Sequence, residues 1–187
     1  LNAPAVVDVF ENHVFLSGHE GTRAAIAHSA PKDAYLWTSA GGAGQIAAGF
    51  DVVQIKPFRD NLFVFGTNNI KKVTVNADAD FVIENVTTNI GCVARDSVLE
   101  IGGDLMFLSP DGFRPVAGTS RVGDVELETL SKPIQSTLVD IIKNEDMDQL
   151  TGVVIRSKSQ VRYFLTSTSG SDLVAAPESP FNPRLLI

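Results

Sequence analysis

The feature that most limits this chain is the shortness of its apolar runs. Val6 to Phe10, Val14 to Leu16, Val52 to Ile55, Leu62 to Phe65, Ile70 to Val75 and Phe81 to Val86 are brief and rich in β-branched and aromatic residues. Each is broken by turn chemistry, such as Glu11-Asn12, Pro57 or Gly66-Thr67-Asn68-Asn69. Short runs bounded by Gly, Pro, Asn and Asp specify strands and hairpins. Val98 to Ile101 and Leu105 to Leu108 flank Gly102-Gly103-Asp104, and Phe113 to Ala117 answers across Ser109-Pro110-Asp111-Gly112. Val153 to Ile155 and Arg162 to Leu165 read as a last hairpin, bent near Ser157 to Gln160. Ala24 to Ala27 and Tyr35 to Trp37 are expected as further short strands. SAGGAGQIAAG, Ser39 to Gly49, reads as a flexible loop. The fold class is therefore all-β.

One segment departs from this pattern. After Ser131, apolar residues fall at Ile134, Leu138, Ile141 and Ile142, which share one helical face. One short α-helix is expected near 132–143, with Ser131 as its N-cap and Pro133 in the first turn.

The strand runs also repeat. NHVFLSG from Asn12, DNLFVFG from Asp60, GDLMFLS from Gly103 and QVRYFLT from Gln160 share a polar start, a Phe-containing apolar run and a small polar or glycine end. Their third residues are Val14, Leu62, Leu105 and Arg162, so the unit recurs after 48, 43 and 57 residues, and the longest interval holds the helix. A period of about 40–50 residues with several short strands each is that of β-propeller blades. A lone four-stranded blade cannot bury both faces, so blades must pack against one another. Blade-like units are expected at about 5–50, 51–88, 89–128 and 150–170, with an irregular tail over 171–187. Three to four blades fall short of a ring of about 4–8, which suggests a portion of a longer protein. A β-sandwich without true repeats is the competing architecture.

Composition narrows the functions. The net charge is −7, and the longest basic cluster is Lys71-Lys72. A nucleic-acid-gripping groove needs clustered Lys and Arg, so it is not expected. A single cysteine, Cys92, excludes an intrachain disulfide and a multi-cysteine zinc site, and reads as a buried small hydrophobe. No stretch approaches the roughly 20 apolar residues of a membrane-spanning helix.

Motifs that carry chemistry fail on their spacing. His19-Glu20 lacks the second His of HExxH, because position 23 is Arg. His13, His19 and His28 read as structural. Gly41 to Gly49 lacks the lysine of a phosphate loop and the spacing of a dinucleotide fingerprint. Asp78, Asp80 and Glu84 lack the glycine and terminal Glu of a calcium loop. The acidic run Asn144 to Asp148 reads as a solvated helix end, and no GxSxG is present. No catalytic, cofactor-binding or metal-binding residue is nominated, and the chain is not read as an enzyme. The residues singled out are turn formers: Gly18, Gly66, Asp111 and Gly112.

Four pieces in order carry a resemblance. Arg59-Asp60-x-Leu62-x-Val64-Phe65-Gly66 precedes Gly91-Cys92-x-x-x-x-Ser97, then Phe107-Leu108-Ser109-x-Asp111-Gly112, then Ser131-x-Pro133-Ile134 at the helix start. This succession resembles the tail-tube propeller proteins of tailed bacteriophages: nozzle proteins of short-tailed phages and related tail hub or DNA-stabilisation proteins. FENHVFLSGHEG resembles the preceding blade of that family, and the likeness runs over roughly residues 8 to 142. Members of the family are usually several times longer.

The resemblance implies a virion structural protein of the tail, assembled in the host cytoplasm as a homo-oligomer, usually a hexameric ring. The implied partners are the portal adaptor and other tail proteins. Genomic DNA would pass through the lumen without sequence-specific binding, and no membrane or cofactor is implied. An acidic lumen would not hold phosphate back. The alternative is a propeller binding module for a glycan or protein partner, and a propeller hydrolase is a distant third.

Overall fold

The structure, a computed structural model, describes residues 3–116, 130–158, 160–166 and 183–186. They are mostly β and divide into two compact units, Leu1–Cys92 and Val93–Ile187.

The first unit holds two four-stranded antiparallel sheets, each laid down in chain order. One comprises β1 (Val6–Phe10), β2 (His13–Ser17), β3 (Ala25–His28) and β4 (Gly44–Ala47). The other comprises β5 (Gln54–Phe58), β6 (Asn61–Phe65), β7 (Ile70–Val75) and β8 (Phe81–Thr87). The two-residue alternation of a strand decides which side chains meet. In β1, Val6 and Phe10 are buried while Val7 and Val9 stand exposed. Register then aligns Asp8 with Phe15, and Phe15 with His28. Val6, Phe10, Phe15 and Ile26 from the first sheet pack with Ile55, Leu62, Val64 and Val73 from the second. Phe81 and Ile83 close one side of this core.

Segment 89–92 is pinned to the β6–β7 hairpin. The Cys92 amide donates to the Gly66 carbonyl at 2.8 Å, and Gly66 itself donates to Asn69 across the bend. Gly91 lies so close that a Cβ on it would sit 2.1 Å from the Gly66 oxygen. Only glycine fits this backbone-on-backbone approach.

The second unit is built differently. β9 (Leu99–Ile101), β10 (Asp104–Ser109) and β11 (Gly112–Pro115) form a three-stranded sheet in the order β11-β10-β9. β12 (Leu150–Ile155), β13 (Gln160–Thr166) and β14 (Pro183–Leu186) form another. Asp96 bridges to Thr151, and Gly152 donates to the Asp96 carbonyl at 3.1 Å. The helix α1, Gln135–Asn144, follows one turn of 3-10 helix, Lys132–Ile134. Leu138 is its buried anchor, packed with Leu108, Phe113, Leu150, Tyr163 and Leu165.

Several expectations are corrected. Tyr35 to Trp37 forms no strand. The Trp37 indole donates to Ala34 and the Leu36 carbonyl accepts from Ala30, so local bonds fold the segment into a loop. Ser39 to Gly49 is not wholly loop. A 3-10 turn at Ser39–Gly41 leads into β4, whose small residues pair with β3. β5 runs through Pro57, which an edge strand tolerates. Ser131 does not cap the helix, because its hydroxyl accepts from the Phe113 amide at 3.0 Å instead. The tail 171–187 is not irregular throughout: the open edge of β13 pairs with the backbone of β14. Ala117, and Ser159 in the expected bend from Ser157 to Gln160, lie outside the described residues.

Candidate functional site

The four turn residues occupy distinct settings. Gly18 ends β2 with φ +76°, and a Cβ there would approach Ala5 Cβ to 2.8 Å. Gly66 has no positive φ. Its constraint is space, since a Cβ would collide with the Phe50 ring, and its carbonyl holds Cys92. Asp111 and Gly112 form the bend between β10 and β11, and Gly112 has φ +136°.

A polar knot surrounds that last bend. The buried Ser109 hydroxyl lies 2.5 Å from Asp111 Oδ1 and 2.7 Å from the Gly112 carbonyl oxygen. Arg114 Nε donates to Asp111 Oδ1 at 3.0 Å and to Ser109 Oγ at 3.2 Å, and a guanidinium nitrogen pairs with Asp111 Oδ2. The Arg114 bonds hold the Asp111 carboxyl below its ordinary range; burial works against them, and the Ser109 bond adds to them. These groups satisfy one another and close a turn.

The grouping that sequence spacing missed lies in the first unit. His13 and His28 sit on adjacent strands, ring centroids 5.2 Å apart and edge to face. Phe81 reaches across from β8, 5.0 Å from His13 and 4.9 Å from His28. Both Nδ1 atoms meet one acceptor, the Ser29 carbonyl, at 2.6 Å for His13 and 3.1 Å for His28. A carbonyl accepts only from N–H, so both neutral rings carry their proton on Nδ1. Ser29 is itself fixed: its amide donates to Val14, and its hydroxyl accepts from the Val14 amide and donates to Ala30. Burial pushes His28 below its ordinary value of 6.5; the Ser29 bond opposes this and His13 adds to it. A cavity of about 300 Å³ adjoins the rings, lined also by Gly44, Gln45 and Asp80. The fourteen residues between the two histidines hide this pairing from any motif; only the strand register brings it out.

The remaining candidates do not converge with these. His19 bonds locally to Thr22 and to the Glu20 carbonyl. The Asn76 side chain accepts from the Asp78 and Asp80 amides and shapes the β7–β8 turn, while Glu84 pairs with Lys72 at 3.0 Å. Among the described residues, no group of three or more His, Cys, Asp or Glu is placed to hold a metal ion. An apolar hollow of about 370 Å³ opens in the second unit beside Met106, Phe113, Ile134, Val161 and Tyr163. Among the described residues no helix is long and apolar enough to cross a membrane. No protein-family model matches the chain, and none of the curated proteins compared with it matches either.

Proposed function

We propose that this chain is a structural protein of a bacteriophage tail, one subunit of a nozzle or hub ring, and that its sheets are propeller blades. The observation that carries the reading is the ordered succession of four motifs, from Arg59 to Ile134, together with the use of their polar members. The Gly66 carbonyl takes the Cys92 amide. The Ser97 hydroxyl donates to Ala94 at 2.6 Å and accepts from Leu108 at 3.0 Å. Ser109 and Asp111 close the β10–β11 bend, and Ser131 ties the segment before α1 to Phe113. Every one of these groups is spent on holding backbone in place, as a scaffold requires. Antiparallel sheets of three or four strands, each in chain order, are also the form a blade takes. The net charge of −7 accords with a conduit through which DNA slides.

One observation favours the binding-module alternative. Tyr35 is 96% exposed, with Leu36 and Trp37 partly exposed beside it, on a loop braced by its own hydrogen bonds. Rigid exposed aromatics are common at interaction surfaces. Electron microscopy of the purified protein separates the two readings. A six-fold ring is the expected result. A monomer that binds glycans through Trp37 would overturn the tail reading.

A further inference from the structure

We propose that His13, His28 and Phe81 form an acid-released clasp between the two sheets of the first unit. The clasp holds while His28 is neutral and both rings share the Ser29 carbonyl. Its geometry links three strands: His13 on β2, His28 on β3 and Phe81 on β8. Phe81 also touches Phe15 and Phe10, at 5.2 and 6.5 Å, so the clasp continues into the core that joins the sheets.

The neutral state is satisfied. One carbonyl takes two N–H groups, and the rings pack edge to face. The protonated state is not. A proton added to His28 goes on Nε2, which faces Gly44 so closely that a Cβ there would lie 2.7 Å away. Among the described residues no hydrogen-bond acceptor meets that atom, and partial burial beside a second imidazole makes a charge on this half-buried ring costly. The titratable and charged groups around it are His13 at the ring edge and Asp80 on the cavity wall. His13 disfavours a positive charge on His28, and among the described residues lining the cavity Asp80 is the carboxylate. Burial sets the direction: the folded form prefers His28 neutral. A depressed value in the fold means that this stability is present above the ordinary 6.5 and is lost as pH falls through the lower folded value.

The test is carried out on the full chain. Imidazole proton resonances are followed by NMR across the pH range, with amide hydrogen exchange measured at about pH 7.5 and about pH 5. After correction for intrinsic rates, protection of Ile26 and Ile83 should fall severalfold at the lower pH, while Val154 in the second unit holds. His28 should titrate below a free peptide imidazole, at about 6.5. His28→Phe keeps a ring in place and should shrink the pH-dependent loss. Should that variant fail to fold, the wild-type titration decides. A His28 that titrates at or above the peptide value, or protection at Ile26 and Ile83 that tracks Val154, would overturn the clasp.

Discussion

The two units solve the same problem by different means. The first sets two four-stranded sheets against each other and buries apolar side chains from both. The second packs three-stranded sheets and a helix around an apolar cluster of its own and adds more buried hydroxyls: Ser97, Ser109 and Ser131, against Ser17 and Ser29 in the first, are all buried and hydrogen-bonded. Tyr163 adds a bond from its phenol to the Ser97 carbonyl at 3.0 Å while its ring stacks on Phe113. The contrast teaches that a full apolar face stabilises by area, which is insensitive to direction. Smaller sheets lean on bonds that are directional and costly to leave unmade.

Substitutions can break that comparison, and the largest effect is expected in the apolar unit. Phe15→Ala removes a fully buried ring that contacts Phe10 and Phe81, and should cost about 3–5 kcal/mol. Denaturant unfolding followed by hydrogen exchange should show the first unit opening well before the second. If both open together, the units are not independent in stability. Gly112→Val comes next. With φ at +136°, a β-branched residue should cost about 1–3 kcal/mol, read as a lower melting temperature. An unchanged melting point would remove the bend from the account.

Asp111→Asn weakens the hold on the buried Arg114. Because the carboxylate is about half exposed, a loss of about 1–2 kcal/mol is expected. Its pH signature differs from that of the histidines. A carboxyl lowered by its arginine contributes stability above its ordinary 3.8, lost as pH falls through the lower folded value. A melting profile of the wild type should therefore weaken the first unit at mild acidity and the second only in stronger acid. The smallest effect belongs to Lys72→Ala. Its partner Glu84 is exposed, so a change under about 0.5 kcal/mol is expected.

The sequence was most legible where period-two patterning ruled. The β6–β7 hairpin, with Leu62 to Phe65 joined to Ile70 to Val75 across Gly66 to Asn69, is found as read. The helix was legible in part: Leu138, Ile141 and Ile142 turn to the core as their spacing requires, while Ile134, read on the same face, falls in the preceding 3-10 turn and stands exposed. Small residues misled. Gly44 to Ala47 looks like loop by composition yet pairs with β3, because its partner strand supplies the bonds that local propensity does not. Ser131 carries the signature of a cap, but a distant amide competes for its hydroxyl. The histidine pair was illegible for a related reason. Nothing local marks His13 and His28 as neighbours, and their meeting is a product of strand register.

The contact between Gly91 and the 66–68 backbone has a consequence for the order of events in folding. Two stretches of main chain touch there with no side chain between them. The groove that receives Gly91 exists only once the β6–β7 hairpin has turned, and hairpins form early because their ends are close in the chain. Residues 89–92 must then lie down on a structure already made, closing a longer loop. The latch therefore depends on the hairpin, and a bulkier residue at 91 would leave the hairpin free to form while blocking the contact that seals the unit.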